Sequence, residues 1–146
     1  MSRKEAIERI KNYFDSGAYV SELSDRVAIR SESQKEDSQA ELQRYLDEAM
    51  RPAFEAMDFN CEIFENPVPD KGPILLATRL ESDRLPTVLG YGHGDVVRGL
   101  ENQWMEGLNP WITTQLGDKL YGRGTADNKG QHTINMAAIR EVLKTR

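Results

Sequence analysis

A histidine and an aspartate lie two positions apart at the end of an apolar run, within the sequence GHGDVV at residues 92–97. The residues just before, 87–91, are mostly β-branched or aromatic, and they predict a buried strand that begins after Pro86. If the extended backbone continues, His93 and Asp95 face the same way, because side chains two positions apart share a face. A motif this short also fits a structural histidine paired with a nearby acid.

A second segment with candidate functional residues has the sequence LYGRGTADNKG at residues 120–130. It is a glycine-punctuated loop that carries Asp127 and leads directly into an apolar pattern of helical spacing. The free N–H groups and the dipole of that helix favour an ionised carboxylate at its start. Asp127 or Asn128 could instead serve only as the helix cap. An imidazole at a strand end and a carboxylate at a helix start are donors that a metal site in an α/β sheet would use.

Taken together, the two segments resemble a zinc-dependent superfamily that includes aminoacylases, carboxypeptidases, acetylornithine deacetylases and succinyl-diaminopimelate desuccinylases. The resemblance covers nearly the whole chain and includes Trp104 and the sequence NPW at 109–111. It implies an α/β fold, a three-layer sheet-and-helix sandwich of the zinc-exopeptidase (phosphorylase/hydrolase-like) type. We expect residues 1–146 to form the N-terminal part of such a catalytic domain, truncated before its remainder and before the family's inserted smaller domain.

The same resemblance implies roles for three residues. His93 and Asp127 match metal ligands, with Asp127 bridging two zinc ions that cobalt could replace. Asp95 matches the acid that orients the ligand histidine, and it is the candidate catalytic residue. A cis peptide bond between Asp127 and Asn128 is implied as well. Zinc held by such ligands can lower the pKa of a water molecule and polarise a scissile carbonyl.

The function implied by the resemblance is hydrolysis of amide bonds in N-acyl amino acids or small peptides. Relatives also use a Glu-Glu pair, a further acidic ligand and a late histidine, which this sequence lacks, so we expect the chain to be inactive by itself. The alternative is a truncated or interaction fragment that keeps the fold without the reaction. A sheet left incomplete would also expose a strand edge, which predicts self-association into a homo-oligomer.

Several positions depart from the family pattern or lie outside it. Arg98 stands where many relatives have proline, and Trp111 where they usually have phenylalanine, so both bear on substrate preference rather than on metal binding. We expect Trp111 to anchor the irregular loop at 98–117 to the core, whereas Trp104 could equally line a pocket. His132 matches no ligand position, and we expect a surface residue or one that supports a ligand.

Composition narrows the class of protein. A length of 146 residues suits one domain, and the net charge of −5 argues against a nucleic-acid partner, whose phosphates demand a basic face. The absence of a long apolar run and of a signal-peptide pattern predicts a cytoplasmic protein without membrane contact. Cys61 is the only cysteine, which excludes an intramolecular disulfide and a cysteine-rich zinc site.

Periodic apolar residues predict three helices before the first strands. Ser2 and Glu5 have the spacing of a capping box at the start of the first helix. Pro52 predicts a kink or a boundary inside the third, because proline has no N–H to donate. We expect helices near 2–14, 20–29 and 38–57, strands near 61–64, 73–80 and 87–91, and a last helix after residue 127.

Overall fold

The computed structural model describes residues 2–145, and helices and short strands are mixed along this part of the chain. The elements are helices α1 at Arg3–Asp15, α2 at Ala18–Ala28, α3 at Gln39–Arg44, α4 at Arg51–Glu55 and α5 at Lys129–Leu143, and strands β1 at Asn60–Phe64, β2 at Ile74–Thr78, β3 at Thr114–Leu116 and β4 at Lys119–Tyr121. Within these described residues, no helix is both long enough and apolar enough to cross a membrane.

The first helix begins where its capping residues predict. The Ser2 hydroxyl accepts the Glu5 N–H at 3.4 Å, and the Glu5 carboxylate accepts the Ser2 N–H at 2.9 Å, so the capping box is confirmed. Helices α1 and α2 both pack against α5. Arg9 Nε donates to Glu141 Oε2 at 2.7 Å, which ties α1 to the far end of α5.

The predicted third helix is continuous but changes its hydrogen-bond pattern halfway. Between α3 and α4, residues Tyr45–Met50 form a π-helical turn, in which the Arg51 N–H bonds to the carbonyl of Leu46. Pro52 follows at once and has no N–H to donate. The predicted disturbance at Pro52 is therefore a widened turn just before the proline, and Tyr45 at its start is buried in the core.

The strands pair in two separate antiparallel hairpins. Strands β1 and β2 match the predictions near 61–64 and 73–80, with Asn60 opposite Thr78 and Phe64 opposite Ile74. Strands β3 and β4 form the second hairpin, and Gly117 in its turn has a φ of 62°.

The prediction of a buried strand at residues 87–91 is wrong in this structure. The segment forms no strand and has no ladder partner among residues 2–145. Val88, Leu89 and Tyr91 are 91%, 91% and 83% exposed. An apolar, β-branched run becomes a buried strand only when a neighbouring strand takes its backbone hydrogen bonds and another layer covers its side chains. The described residues supply neither.

The core that supports the site consists of two clusters. One lies around the π-helical turn and α5, and the other lies on the inner face of α2. Their buried members are Ile29, Tyr45, Met50, Met57 and Met136 in the first cluster and Tyr19, Leu23 and Val27 in the second. Because the site segments pack against the first cluster, its residues decide where those segments lie.

Candidate metal centre

Backbone hydrogen bonds hold the segment that carries His93 and Asp95. Val96 forms a parallel bridge with Glu32, in which the Val96 N–H donates to Ser31 O at 2.8 Å and the Ser33 N–H donates to Val96 O at 3.0 Å. The buried Ser31 hydroxyl also donates to the carbonyl of Gly94 at 2.6 Å. The loop that follows α2 therefore fixes the chain at Gly94 and Val96, on either side of Asp95.

The His93 imidazole lies between two carboxylates, with one ring nitrogen towards each. Its Nδ1 is 3.1 Å from Oδ1 of Asp95 and 3.1 Å from the carbonyl oxygen of Asp95. Its Nε2 is 3.0 Å from Oδ1 of Asp127. The prediction that His93 and Asp95 share a side is confirmed, and Asp127 joins them from a segment 34 residues away.

The atoms around Nε2 of His93 fit a cation. If Nδ1 carries the proton and donates to Asp95, then Nε2 presents a lone pair to a carboxylate oxygen. Two acceptors at 3.0 Å need a proton or a metal ion between them. Imidazole nitrogen and carboxylate oxygen are donors that zinc uses. The Asp127 side chain is 85% exposed, so this edge of the described chain is open to solvent.

Asn128 connects the two segments of the site instead of capping α5. The peptide bond between Asp127 and Asn128 is cis, as the resemblance implies. Asn128 occupies the N-cap position of α5, but its side chain makes no capping hydrogen bond. Its Oδ1 instead accepts the backbone N–H of His93 at 3.2 Å. The alternative in which Asn128 is merely a helix cap therefore does not describe its side chain.

His132 is buried rather than on the surface. It is 6% exposed, and its Nε2 lies 2.6 Å from the hydroxyl of Tyr45, which is itself 1% exposed. Its Nδ1 lies 3.2 Å from Oδ1 of Asn128. Sequence reasoning missed Tyr45, whose only signal was its place in the apolar stripe of a helix. Burial, with the positive charges of Arg26 and Lys129, lowers the pKa of His132 from 6.5 to about 3.

Lys129 is completely buried beside this network. Its ammonium donates to the carbonyls of Arg26 and Ile29 at 3.0 and 2.7 Å, where the end of α2 leaves carbonyls without helical partners. The same group lies 4.7 Å from the ring centre of Tyr45. Burial lowers the pKa of Lys129 from 10.5 to about 7, although nearby carboxylates oppose the shift.

The two tryptophans hold the loop between the site segments. Trp111 is 5% exposed, and its indole N–H donates to Glu101 at 2.8 Å, which confirms that it anchors the loop. Trp104 is partly buried and donates to the carbonyl of Gly99 at 2.8 Å, with the guanidinium of Arg123 over its ring. Trp104 therefore also acts as an anchor here.

Beyond His93 and Asp127, the described part of the chain supplies no complete metal cage. Among residues 2–145, no group of three or more His, Cys, Asp or Glu side chains is arranged to hold an ion. Asp95 approaches the opposite nitrogen of the imidazole, so it supports His93 and does not add a third donor on the Nε2 side.

The neutral state of buried His132 predicts a loss of stability in mild acid. The unfolded chain binds a proton at this residue below about pH 6.5, whereas the folded chain does so only near pH 3, so the free energy of unfolding falls between these values. From pH 7 to pH 5 we expect a loss of about 2 kcal/mol from this group. Urea unfolding at both pH values measures the total loss.

The matched variant for this experiment is His132→Leu, which cannot take up the proton. Its free energy of unfolding should fall by correspondingly less between pH 7 and pH 5. The lowered pKa of Lys129 reduces stability mainly as the pH falls from about 10.5 to about 7, and Lys129 is present in both proteins, so its smaller effect just below pH 7 is common to the two. Equal losses in the two proteins would contradict the assignment.

Comparison with known proteins supports the family resemblance that the sequence motifs indicate. The sequence model of peptidase family M20/M25/M40 matches residues 89–146, which contain both site segments. The beta-Ala-His dipeptidase of Mus musculus is 43% identical over 65 residues, which cover 44% of this chain and 12% of the mouse protein. The succinyl-diaminopimelate desuccinylase of Rickettsia massiliae is 26% identical over 126 residues, covering 86% of this chain and 31% of that protein.

The fold also agrees with that of a solved structure. The crystal structure of human carnosine dipeptidase 1 superposes with a TM-score of 0.84 at 25% sequence identity, covering 97% of this chain and 31% of the human chain. The predicted α/β class is thereby confirmed. The chain spans about a third or less of the length of these relatives. The sequence motifs, the fold and the match of residues 89–146 to the model of peptidase family M20/M25/M40 therefore agree with one another.

Proposed function

We propose that His93 and Asp127 bind zinc, and that the chain contributes this part of the site to a metal-dependent hydrolase of amide bonds. The observation that carries the proposal is the approach of His93 Nε2 and Asp127 Oδ1 to 3.0 Å. Two zinc donors from distant segments meet there without an intervening side chain. Asp127 is exposed enough to reach a second ion, in keeping with the bridging role that the family resemblance implies.

Each residue has a separate task in this proposal. Zinc, when bound, supplies a Lewis acid that polarises a carbonyl and makes a water molecule more acidic. His93 provides a neutral nitrogen, and Asp95 accepts from its other nitrogen, which fixes the tautomer and raises the basicity of the ring. Asp127 provides the negative charge that a divalent cation requires.

The substrates that we propose are N-acyl amino acids or small peptides. A dipeptidase and a desuccinylase both break an amide bond between an acyl group and an amine, and relatives of this chain carry those names. Because catalytic zinc sites ordinarily have three protein ligands, we propose that the 146-residue chain turns over no substrate by itself.

Metal binding is the first test. The chain should take up Co²⁺ or Zn²⁺, and His93→Ala and Asp127→Ala should each weaken the affinity by more than about tenfold, since each change removes a donor. Titration calorimetry and the visible spectrum of bound Co²⁺ measure this.

Asp118→Ala is the control for that titration, because it removes an exposed carboxylate at the tip of the second hairpin. If the chain takes up no metal and both ligand variants fold normally, the alternative of a non-enzymatic interaction fragment stands instead.

Asp95 should influence metal affinity without touching the ion. Asp95→Asn keeps an acceptor for Nδ1 of His93 but loses the charge, whereas Asp95→Ala loses both, so we expect affinity to fall in that order, by about 10- to 100-fold for alanine. The same calorimetric titration measures both variants. Wild-type affinity in Asp95→Ala would contradict the orienting role.

Self-association is a further part of the proposal. Val88 and Leu89 are exposed in a segment that has no ladder partner among residues 2–145, and such exposed apolar segments favour pairing with another copy. Light scattering should show a mass that rises with protein concentration, and Leu89→Glu should lower it, since it places a charge in the contact. A wild-type monomer at all concentrations would contradict this expectation.

A further inference from the structure

A chain of hydrogen bonds runs from the core to the backbone of His93. Beginning in the core, Tyr45 bonds to Nε2 of His132, and Nδ1 of His132 bonds to Oδ1 of Asn128. The same oxygen of Asn128 accepts the N–H of His93. Asn128 directly follows Asp127. Its side chain therefore links the residue next to one proposed ligand, Asp127, to the backbone of the other, His93.

The hydrogen-bond partners define the tautomer of His132. Oδ1 of Asn128 can only accept, so Nδ1 of His132 must carry the proton and donate. Nε2 is then an acceptor, and the Tyr45 hydroxyl donates to it. The amide nitrogen of Asn128 donates to Gln131, which leaves its oxygen turned towards both His132 and His93. No member of the chain has a free choice of orientation.

Packing restricts the same segment from the core side. A methyl group on Gly92 would come within 3.0 Å of Cβ of His132 and 3.2 Å of Oδ1 of Asn128. On Gly94, a methyl group would overlap the ring of Tyr45. The two glycines on either side of His93 therefore lie directly against the side chains that make the hydrogen bonds, and His93 has little room to shift inward.

We propose that His132, oriented by Tyr45, is a positioning residue that acts through Asn128 to fix the backbone of His93 relative to Asp127. The inference rests on the proposed function, because it assigns His132 to the spacing of the two proposed ligands. His132 does not touch the proposed ion. Its contribution is to hold Asn128 so that Nε2 of His93 and Oδ1 of Asp127 stay within reach of a common ion.

A purely structural role would give different results. A histidine that only fills the core would change global stability, as any buried residue does, while metal affinity and the His93 amide stayed as they were. Thr133→Val is the matched control, because Thr133 is fully buried on the same helix, and its hydroxyl bonds to Lys129 and Arg26 rather than to Asn128 or His93.

The experiment uses the 146-residue chain in four forms: wild type, His132→Leu, His132→Gln and Thr133→Val. Hydrogen exchange of the His93 amide, followed by NMR without metal, reports the bond to Asn128. Calorimetric titration with Co²⁺ reports the spacing of the ligands. Thermal unfolding of each form shows how much general stability has changed.

We expect His132→Leu to exchange the His93 amide faster than wild type and to bind Co²⁺ about tenfold more weakly. His132→Gln should recover much of both losses, because its amide can donate to Asn128. Thr133→Val should leave both readouts unchanged even where it lowers the melting temperature.

Unchanged exchange and unchanged affinity in His132→Leu would overturn the inference while the proposed function stood. The inference also falls if Thr133→Val changes both readouts as much as His132→Leu does. If the wild type binds no Co²⁺, the proposed function fails, and the exchange measurement alone decides whether His132 fixes the His93 backbone.

Discussion

The contact between the loop after α2 and the chain at Gly94 and Val96 supports the whole site. This part of the chain has no sheet ladder, so its position depends on two backbone hydrogen bonds of the bridge to Val96 and on the Ser31 hydroxyl. Each such bond contributes only about 1 kcal/mol net, but a buried donor or acceptor left without a partner costs more. A small number of bonds can therefore fix a short segment, because releasing it would leave several buried polar groups without hydrogen-bond partners at once.

Buried charges connect that loop to the start of α5. Arg26 is 3% exposed, forms an ion pair with Glu22 at 2.7 Å and donates to Thr133 on α5. Lys129 reaches from α5 to the last carbonyls of α2. Charged groups in such places add little stability compared with apolar residues, but they penalise any arrangement that leaves one of them unpaired. They therefore favour one relative placement of the loop after α2, which holds the segment with His93, and of the start of α5, which follows Asp127.

Local signals predicted the parts of the molecule that depend on local contacts. The capping residues Ser2 and Glu5, the stripe that places Tyr45 on a helix and the apolar residues of β1 each depend on neighbours along the chain. The shared side of His93 and Asp95 follows from backbone periodicity alone. For this reason the helices, the first two strands and the local geometry of the motif were predicted correctly.

What sequence reasoning missed depends on distant partners. The run at residues 87–91 has strand composition, but composition cannot say whether a pairing strand is present. The burial of His132 depends on Tyr45, which lies 87 positions away along the chain, and its Nδ1 meets Asn128. A polar residue one turn into an amphipathic helix has the same local pattern whether it faces solvent or a buried hydroxyl.

The packing of the Tyr45 ring over Gly94 links two positions that must change together. A chain of this fold with any larger residue at the glycine needs a smaller one at the tyrosine, and it then gives up both the phenol beside His132 and the ring beneath the Lys129 ammonium. Related sequences should therefore show correlated replacement, with tyrosine retained only where glycine is present. Such covariation would result from packing in the core and not from metal binding.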